Sequence, residues 1–446
     1  MLQTLISISG ILITILFVIG SHESAHFIAA RLLGVKVLRF SIGFGKTLFR
    51  WHDKKGTEYV IALVPLGGYV KMLDETEEKV PASEKHLAYN RQPFYKKFLI
   101  VLAGPAANLF CALVLYWMIF VIGFVTLKPI IGSVTPRSIA AEAGLKGNQE
   151  IISIDNKITH GWSGVFFRLI EHTGNKDHMQ MSVKNLADNR SATHVLDLSN
   201  WHMNDLMPDP LDSLGITPYE PHVPLIVGYI HPDSPATASG LKLGDKLIAV
   251  NNVKIKDWEA LMTIIYNHPD STLAFKVERQ KKILTENVTI GHQRNLFFQA
   301  SGYLGIGPNY RLPDSLINHV QYSPLQAIPH AWQETMDLCY MNLLLFGKMV
   351  TGKVSLQSLG GPITIFESAG SALNLGFVSF ISFLAFLSIA IGIINLFPVP
   401  GLDGGHLLMQ FIEFIIRRPV PEKIQLYLFR IGFFADFLHP PASAGK

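Results

Sequence analysis

Ser21-His22-Glu23-Ser24-Ala25-His26 sits inside an apolar run, and its reading decides the fold. No charged side chain precedes it from Met1 onward. The run then resumes as Phe27-Ile28-Ala29-Ala30 before the first basic residue, Arg31. About 20 apolar residues cross the roughly 30 Å hydrocarbon core of a bilayer. Residues 1–21 suffice for that, which makes the hexapeptide a wetted helix end. A window over residues 8–30 serves equally and puts it inside the membrane. On one helix, His22 and His26 share a face. Two imidazoles there can hold one Zn²⁺, with Glu23 beside them to carry a proton. Ionisable groups in lipid are costly and mark function, which favours the second window. The run is too long for a secretory signal peptide, and it lacks a basic start and a small-residue cleavage site.

Composition extends this reading. The chain has 446 residues, 49% of them hydrophobic, and the apolar residues are clustered. That predicts a membrane protein with spans at 4–30, 98–124 and 377–397. A fourth candidate, Ile424 to Leu438, is short and contains Arg430 and Asp436. A net charge of +4 carries no nucleic-acid signature. Between Arg31 and Lys97 lie 13 Lys and Arg residues, which predicts a cytosolic connection. The N-terminus and the middle region, about 125–375, then lie outside. The two cysteines, Cys111 and Cys339, indicate no disulfide framework and read as small apolar fillers.

Residues 38–72 read as strands: a hairpin around His52-Asp53-Lys54-Lys55-Gly56, broken at Pro65-Leu66-Gly67-Gly68 and resumed at Tyr69. Its role is either structural or that of a sheet edge beside the active site. Gly104-Pro105-Ala106-Ala107-Asn108 in the second span predicts a tight contact with a neighbouring helix. Residues 323–372 read as amphipathic, surface-lying helices.

The middle region repeats itself. Ile131-Gly132-Ser133-Val134 recurs as Val227-Gly228-Tyr229-Ile230, and Gly144-Leu145-Lys146 as Gly240-Leu241-Lys242. The units end in Leu214-Gly215-Ile216 and Leu304-Gly305-Ile306. The run Gly240-Leu-Lys-Leu-Gly-Asp-Lys-Leu-Ile-Ala-Val-Asn251 resembles a PDZ domain, and the Leu-Gly-Ile tripeptides resemble its carboxylate-binding loop. Because that loop comes last in each unit, the parse is a circularly permuted PDZ pair. Asn148-Gln149 replaces Gly244-Asp245 in the first copy, which predicts a less regular loop there. The pair serves as a peptide-binding groove or as a folded spacer.

The third span ends in Asn395-Leu396-Phe397-Pro398-Val399-Pro400-Gly401-Leu402-Asp403-Gly404-Gly405-His406. Such a helix break is tolerated where backbone lines a cavity. Asp403 can supply a third ligand and His406 is its rival; Asn395 can add a donor or hold substrate backbone. Two nitrogens and one oxygen, with a fourth position for water, make a catalytic rather than a structural zinc pattern.

His-Glu-x-x-His in a first span, Leu-Asp-Gly after Asn-x-x-Pro-x-Pro in a late one, and tandem PDZ units between them resemble the bacterial site-2 intramembrane metalloproteases of peptidase M50 type. Ser41-Ile-Gly-Phe-Gly-Lys46 and Pro65-Leu-Gly-Gly-Tyr-Val-Lys-Met-Leu-Asp-Glu75 resemble the branch that regulates sigma-E signalling. The resemblance implies a zinc endopeptidase of the inner membrane that cleaves single-pass proteins, namely an anti-sigma factor already trimmed outside and remnant signal peptides. It favours His22, His26 and Asp403 as ligands and Glu23 as base. It places substrate contacts at Asn395, Tyr69, Gly67, Gly68, Gly43 and Gly45, and makes residues about 57–72 a membrane-associated hairpin. It makes the PDZ pair an extracytoplasmic size filter.

Ser24-Ala25 stands where relatives carry Phe-Gly, and Ala390 where some carry a second asparagine. The tail falls short of the family's fourth span and is expected as an inserted but shortened helix. The alternative class is a non-catalytic membrane PDZ scaffold.

The expected fold class is a polytopic α-helical membrane protein with a membrane-associated β-sheet and two extracytoplasmic PDZ domains. The divisions are 1–35, first helix; 36–97, sheet and loop; 98–125, second helix; 126–220 and 221–310, PDZ units; 311–374, surface helices; 375–415, third helix; 416–446, last helix and tail.

Overall fold

In the computed structural model the first apolar run is a single helix, α1 (Leu2–Leu32). The structure describes residues 2–76, 79–172, 177–201, 209–294, 300–350, 362–399 and 401–418. The expected tail helix 424–438, with Arg430 and Asp436, lies outside them. Thr14, Val18, His22, His26 and Ala30 recur every four residues and are buried along one side of α1. Ile8, Leu12, Leu16 and Ile28 are exposed, as suits a helix partly facing lipid.

Strands β1 (Val37–His52) and β2 (Glu58–Met72) follow. The second strand breaks around Pro65–Gly68 as expected: 58–61 lie parallel to 39–42 while 68–71 lie antiparallel to it, so the two ends of β2 run in opposite directions. A second bend, which the sequence did not announce, falls in β1. Gly43 and Gly45 have φ of 90° and 83°, a region open to glycine, and the chain turns there. Phe40 consequently lies opposite Val70 on one side and Tyr59 on the other. Segments 47–52, 58–62, 39–42 and 68–72 lie side by side in that order.

The second span is α2 (Phe94–Ile122), roughly 44 Å long at 1.5 Å per residue. Residues 125–320 then form a separate compact unit. Its first half comprises β3 (Phe124–Leu127), β4 (Ile130–Val134), α3 (Ile139–Glu142), β5 (Gln149–Ile154), β6 (Lys157–Ile158), α4 (Trp162–His172), β7 (His178–Asn185), β8 (Ser191–Asp197), α5 (Pro210–Leu214) and β9 (Ile216–Pro218). Its second half comprises β10 (Val227–Ile230), β11 (Lys246–Val250), β12 (Val253–Lys254), α6 (Trp258–Tyr266), β13 (Thr272–Arg279), β14 (Lys282–Thr289), β15 (Gly291–Arg294), β16 (Ala300–Tyr303), β17 (Ile306–Pro308) and β18 (Ile317–Val320).

Each half has its own buried core, around Leu169 and Met181 in the first and Leu261 and Phe275 in the second. The late strand β9 pairs with the early β4, and β17 with β10. Strand β18 pairs with β3, so residues 311–320 belong to this unit and not to the helices that follow.

The first copy's loop is as regular as the second's, contrary to expectation. Asn148 adopts φ 64° where Gly244 has 87°. Asparagine tolerates this left-handed conformation better than most residues. Gln149 Oε1 accepts from Lys146 N at 2.7 Å, and Asp245 Oδ2 from Lys242 N at 2.8 Å. Asp245 is fully buried and also accepts from Arg279 Nε and Nη2 at 2.7 Å each.

Residues 2–124 and 321–418 belong to the other unit. In it α7 (Pro324–Val350), α8 (Pro362–Asn374), α9 (Phe377–Leu396) and α10 (Asp403–Ile416) complete the helices. Helices α1, α2 and α9 are long and apolar enough to cross a membrane. The helix break expected after Leu396 is present: α9 ends there and a separate helix, α10, begins at Asp403, so the division 375–415 holds two helices. Helices α7 and α8 do not merely lie on a surface. Small residues Ala327, Ala331 and Thr335 are buried along α7, which packs on α2 and α9. Trp117 Nε1 donates to Pro324 O at 2.9 Å at one end, and Phe346 stacks on Phe397 at 3.8 Å at the other. Helix α8 packs on α1, where a Cβ on Gly10 would lie 3.0 Å from Ala369 O. Small side chains permit such close helix approach.

Candidate metal centre

His22 and His26 lie one turn apart on α1, and both are buried. Asp403, the first residue of α10, meets them from the other end of the sequence. Its Oδ2 is 3.1 Å from His22 Nε2 and 3.3 Å from His26 Nε2, and the two Nε2 atoms are 3.1 Å apart. Four ligands at about 2.0 Å in a tetrahedron stand about 3.3 Å from one another. The three atoms therefore have the spacing of three corners around one zinc ion.

Proton accounting supports the fit. His26 Nδ1 lies 2.7 Å from Ile100 O, which only accepts, so Nδ1 carries the proton. In the neutral ring Nε2 then presents a lone pair to a carboxylate oxygen. Asp403 Oδ2 is buried with no hydrogen-bond partner. Lone pairs converging on one point are the donor set that a metal cation takes. Among the described residues these three form the group able to hold a metal. His406, the rival ligand, is exposed and apart from it.

Two glycines make the convergence possible. A Cβ on Gly104 of α2 would stand 2.3 Å from His26 Nε2 and 2.7 Å from His22 Cε1. A Cβ on Gly404 would stand 2.2 Å from the carbonyl oxygens of Leu396 and Phe397. Only a bare backbone lets α2 touch the imidazoles and lets α10 start tightly enough against the end of α9 to present Asp403. The sequence reading took Gly104 and Asn108 for helix-packing residues. Their spacing of four on one helical face was the available signal that both reach the site.

Glu23 is half-buried beside β2, where a Cβ on Gly68 would meet Glu23 Cγ and Ser41 O at 2.8 Å each. Gly67 fits under the Phe44 ring, and Tyr69 stacks on Phe44 while its hydroxyl accepts from Arg39 Nη1 at 3.2 Å. Of the other expected substrate contacts, Gly43 and Gly45 sit at the bend of β1, and Asn395 in the last turn of α9. Leu214 and Leu304 are buried in the cores of the two halves of the other unit, Ile216 is buried and Ile306 packs against its core. Gly215 and Gly305 have φ of 81° and 80°, with Ser138 and Ser234 packed where a Cβ would go.

On the membrane-flanking loops, Asp53 accepts from Arg31, Lys55 N and Thr57 N. The Arg31 guanidinium holds its carboxyl down at about 2.

The profile described as Peptidase family M50 matches residues 10–438. The chain is 38% identical to "Protease RseP" of Yersinia pestis, over 97% of this chain and 96% of that protein. It is 39% identical to "Regulator of sigma-E protease RseP" of Escherichia coli, over 95% and 92%. A protein of Vibrio cholerae with "zinc metalloprotease" in its name is 36% identical, over 93% and 92%. Among solved structures, the PDZ domain of an SdrC-like protein from Listeria monocytogenes aligns with 20% of this chain and 93% of its own length, at 14% identity and TM-score 0.18.

Proposed function

This chain belongs to peptidase family M50 and is a zinc metalloprotease of the membrane, and from that premise we propose that it cleaves single-pass membrane proteins within their membrane-spanning segments. His22, His26 and Asp403 are its zinc ligands. The observation that carries this is the convergence of their three ligand atoms on one point, two of them supplied by a membrane-length helix.

Zinc held by these three residues would supply Lewis-acid chemistry to the scissile carbonyl and to a water beside it. Glu23 takes a proton from that water and returns it to the leaving amine. The bare backbone of Gly67-Gly68 lets an extended substrate approach Glu23 closely, and Tyr69 and Asn395 hold its main chain. A helix cannot be cut at a backbone still closed in its own hydrogen bonds, so the β2 segment at 68–72 offers replacement partners.

The substrates are an anti-sigma factor after trimming on its outer side, and remnant signal peptides; the name of the Escherichia relative supports the sigma-E link. The protein sits in the inner membrane with residues 31–97 cytosolic and 125–320 outside, as the 13 basic residues of the first connection support. The outer unit is a pair of permuted PDZ domains; the pairing of β9 with β4 and of β17 with β10 supports that parse. It screens substrates by the size of their outer domains.

Cleavage of a single-pass model substrate by purified protein, with and without a chelator, is the test. Chelator-insensitive cleavage refutes the site, and no cleavage of any spanning segment refutes the substrate class.

A further inference from the structure

Asn108 is fully buried where α1, α2 and α9 meet. Its backbone carbonyl accepts from Ser388 Oγ of α9 at 2.8 Å. Its side-chain amide faces α1, 3.4 Å from His22 Nδ1 and 3.4 Å from Ser21 Oγ. The amide lies with Nδ2 toward His22 and Oδ1 toward Ser21. The reversed amide is isosteric, and only the hydrogen-bond network decides between the two.

With His22 as a ligand, two arguments decide for the reversed one. If Nδ2 donated to His22 Nδ1, that nitrogen would be bare and the ring proton would sit on Nε2. That atom lies 3.1 Å from both His26 Nε2 and Asp403 Oδ2, and a protonated Nε2 has no lone pair for a metal. Ser21 Oγ already donates to Val18 O at 3.1 Å. A hydroxyl has one proton, so Ser21 is left to accept, and Nδ2 is the end that can donate to it. With the oxygen toward His22, Nδ1–H has an acceptor, Nε2 is bare, and both ends of the buried amide are partnered. His26 follows the same arrangement through Ile100 O.

We propose that Asn108 is a positioning residue for the metal site: its amide oxygen accepts from His22 Nδ1–H and fixes the tautomer that turns Nε2 to zinc. Outer partners of ligating histidines typically change metal affinity about 10–100-fold. The inference rests on His22 being a ligand.

The test uses the purified full-length chain as Asn108→Ser, Asn108→Asp, Ser388→Ala and His22→Ala. Zinc affinity is read by chelator competition, and ligand geometry by the visible spectrum of the Co²⁺-loaded protein. Serine is too short to reach His22, so Asn108→Ser binds zinc about 10–100-fold more weakly and shifts the Co²⁺ bands. Asn108→Asp keeps an acceptor and retains affinity within a few-fold of the parent. Ser388→Ala loses the helix-to-helix bond, melts lower and keeps its zinc affinity. Parental affinity in Asn108→Ser, or equal losses in Asn108→Ser and Ser388→Ala, overturns the proposal. Zinc retained in His22→Ala refutes the ligand reading itself; zinc lost there beside an unchanged Asn108→Ser refutes only the role of Asn108.

Discussion

Replacing Glu23 by Gln removes a proton acceptor and leaves every proposed ligand in place. Cleavage should fall about 10²–10⁴-fold while bound zinc, measured by elemental analysis, stays at the parental level. Cleavage near the parental rate would remove Glu23 from its role. Gly104→Ala should do the reverse. Its methyl would stand 2.3 Å from His26 Nε2, so zinc is lost from a chain that still inserts; full zinc occupancy would contradict this. Asp245 tests the other unit. Burial alone would raise its carboxyl, but Arg279 outweighs burial and holds it below the ordinary carboxylate value. A lowered folded value contributes stability above the unfolded pKa of about 3.9, and that stability is lost as pH falls through the folded value. Asp245→Asn should therefore cost about 2 kcal/mol near neutrality. The gap to the parent should close in acid, as read from melts of the full chain between pH 3 and 7. A constant gap would contradict the ion pair. The proposed ligand residues were legible in the sequence, the histidines from His-Glu-x-x-His and Asp403 over His406 from the family resemblance of Leu-Asp-Gly. Asn108 was legible only as packing, since nothing local tells which way its amide faces.

At the scale of elements, β2 is the piece whose placement the sequence left open between a structural sheet and an active-site edge. Gly68 beside Glu23 sets it next to the proposed base. Gly68→Ala should lower cleavage while zinc binding is kept, because the methyl meets Glu23 Cγ and Ser41 O at 2.8 Å and not a ligand. Loss of zinc in that variant would instead mean that the sheet props up the ligands. The break at Pro65–Gly68 was legible because proline and glycine are strong breakers locally. The matching bend at Gly43 and Gly45 was not, because it shows only in how 39–42 and 47–52 pair along β2. Helix α7 was read as surface-lying for a reason of its own. Its apolar stripe Leu325, Ile328, Trp332, Met336 and Tyr340 is exposed, while alanines and a threonine make the contact. Hydrophobic periodicity marks the greasier face, whereas close packing of membrane helices selects the smaller one.

For the whole molecule, removing residues 129–315 should leave cleavage of a short spanning substrate intact and admit substrates with large outer domains. Loss of all cleavage in a well-inserted chain would end the size-filter reading. The cut is placed by the pairing of β3 with β18, which returns the chain close to where it left. That pairing also bears on the order in which the chain matures. Before residues 125–320 fold, joining α2 to α7 means closing a loop of nearly two hundred residues. Once they have folded, the same junction is a loop of a few residues. Closure entropy grows as (3/2)RT ln n, so the difference is about 3 kcal/mol in favour of the late helices docking. An insert that folds early thus acts as an intramolecular chaperone for α7 to α10. Asp403 reaches the two histidines only after that docking, so the protease would be assembled, and its metal captured, last.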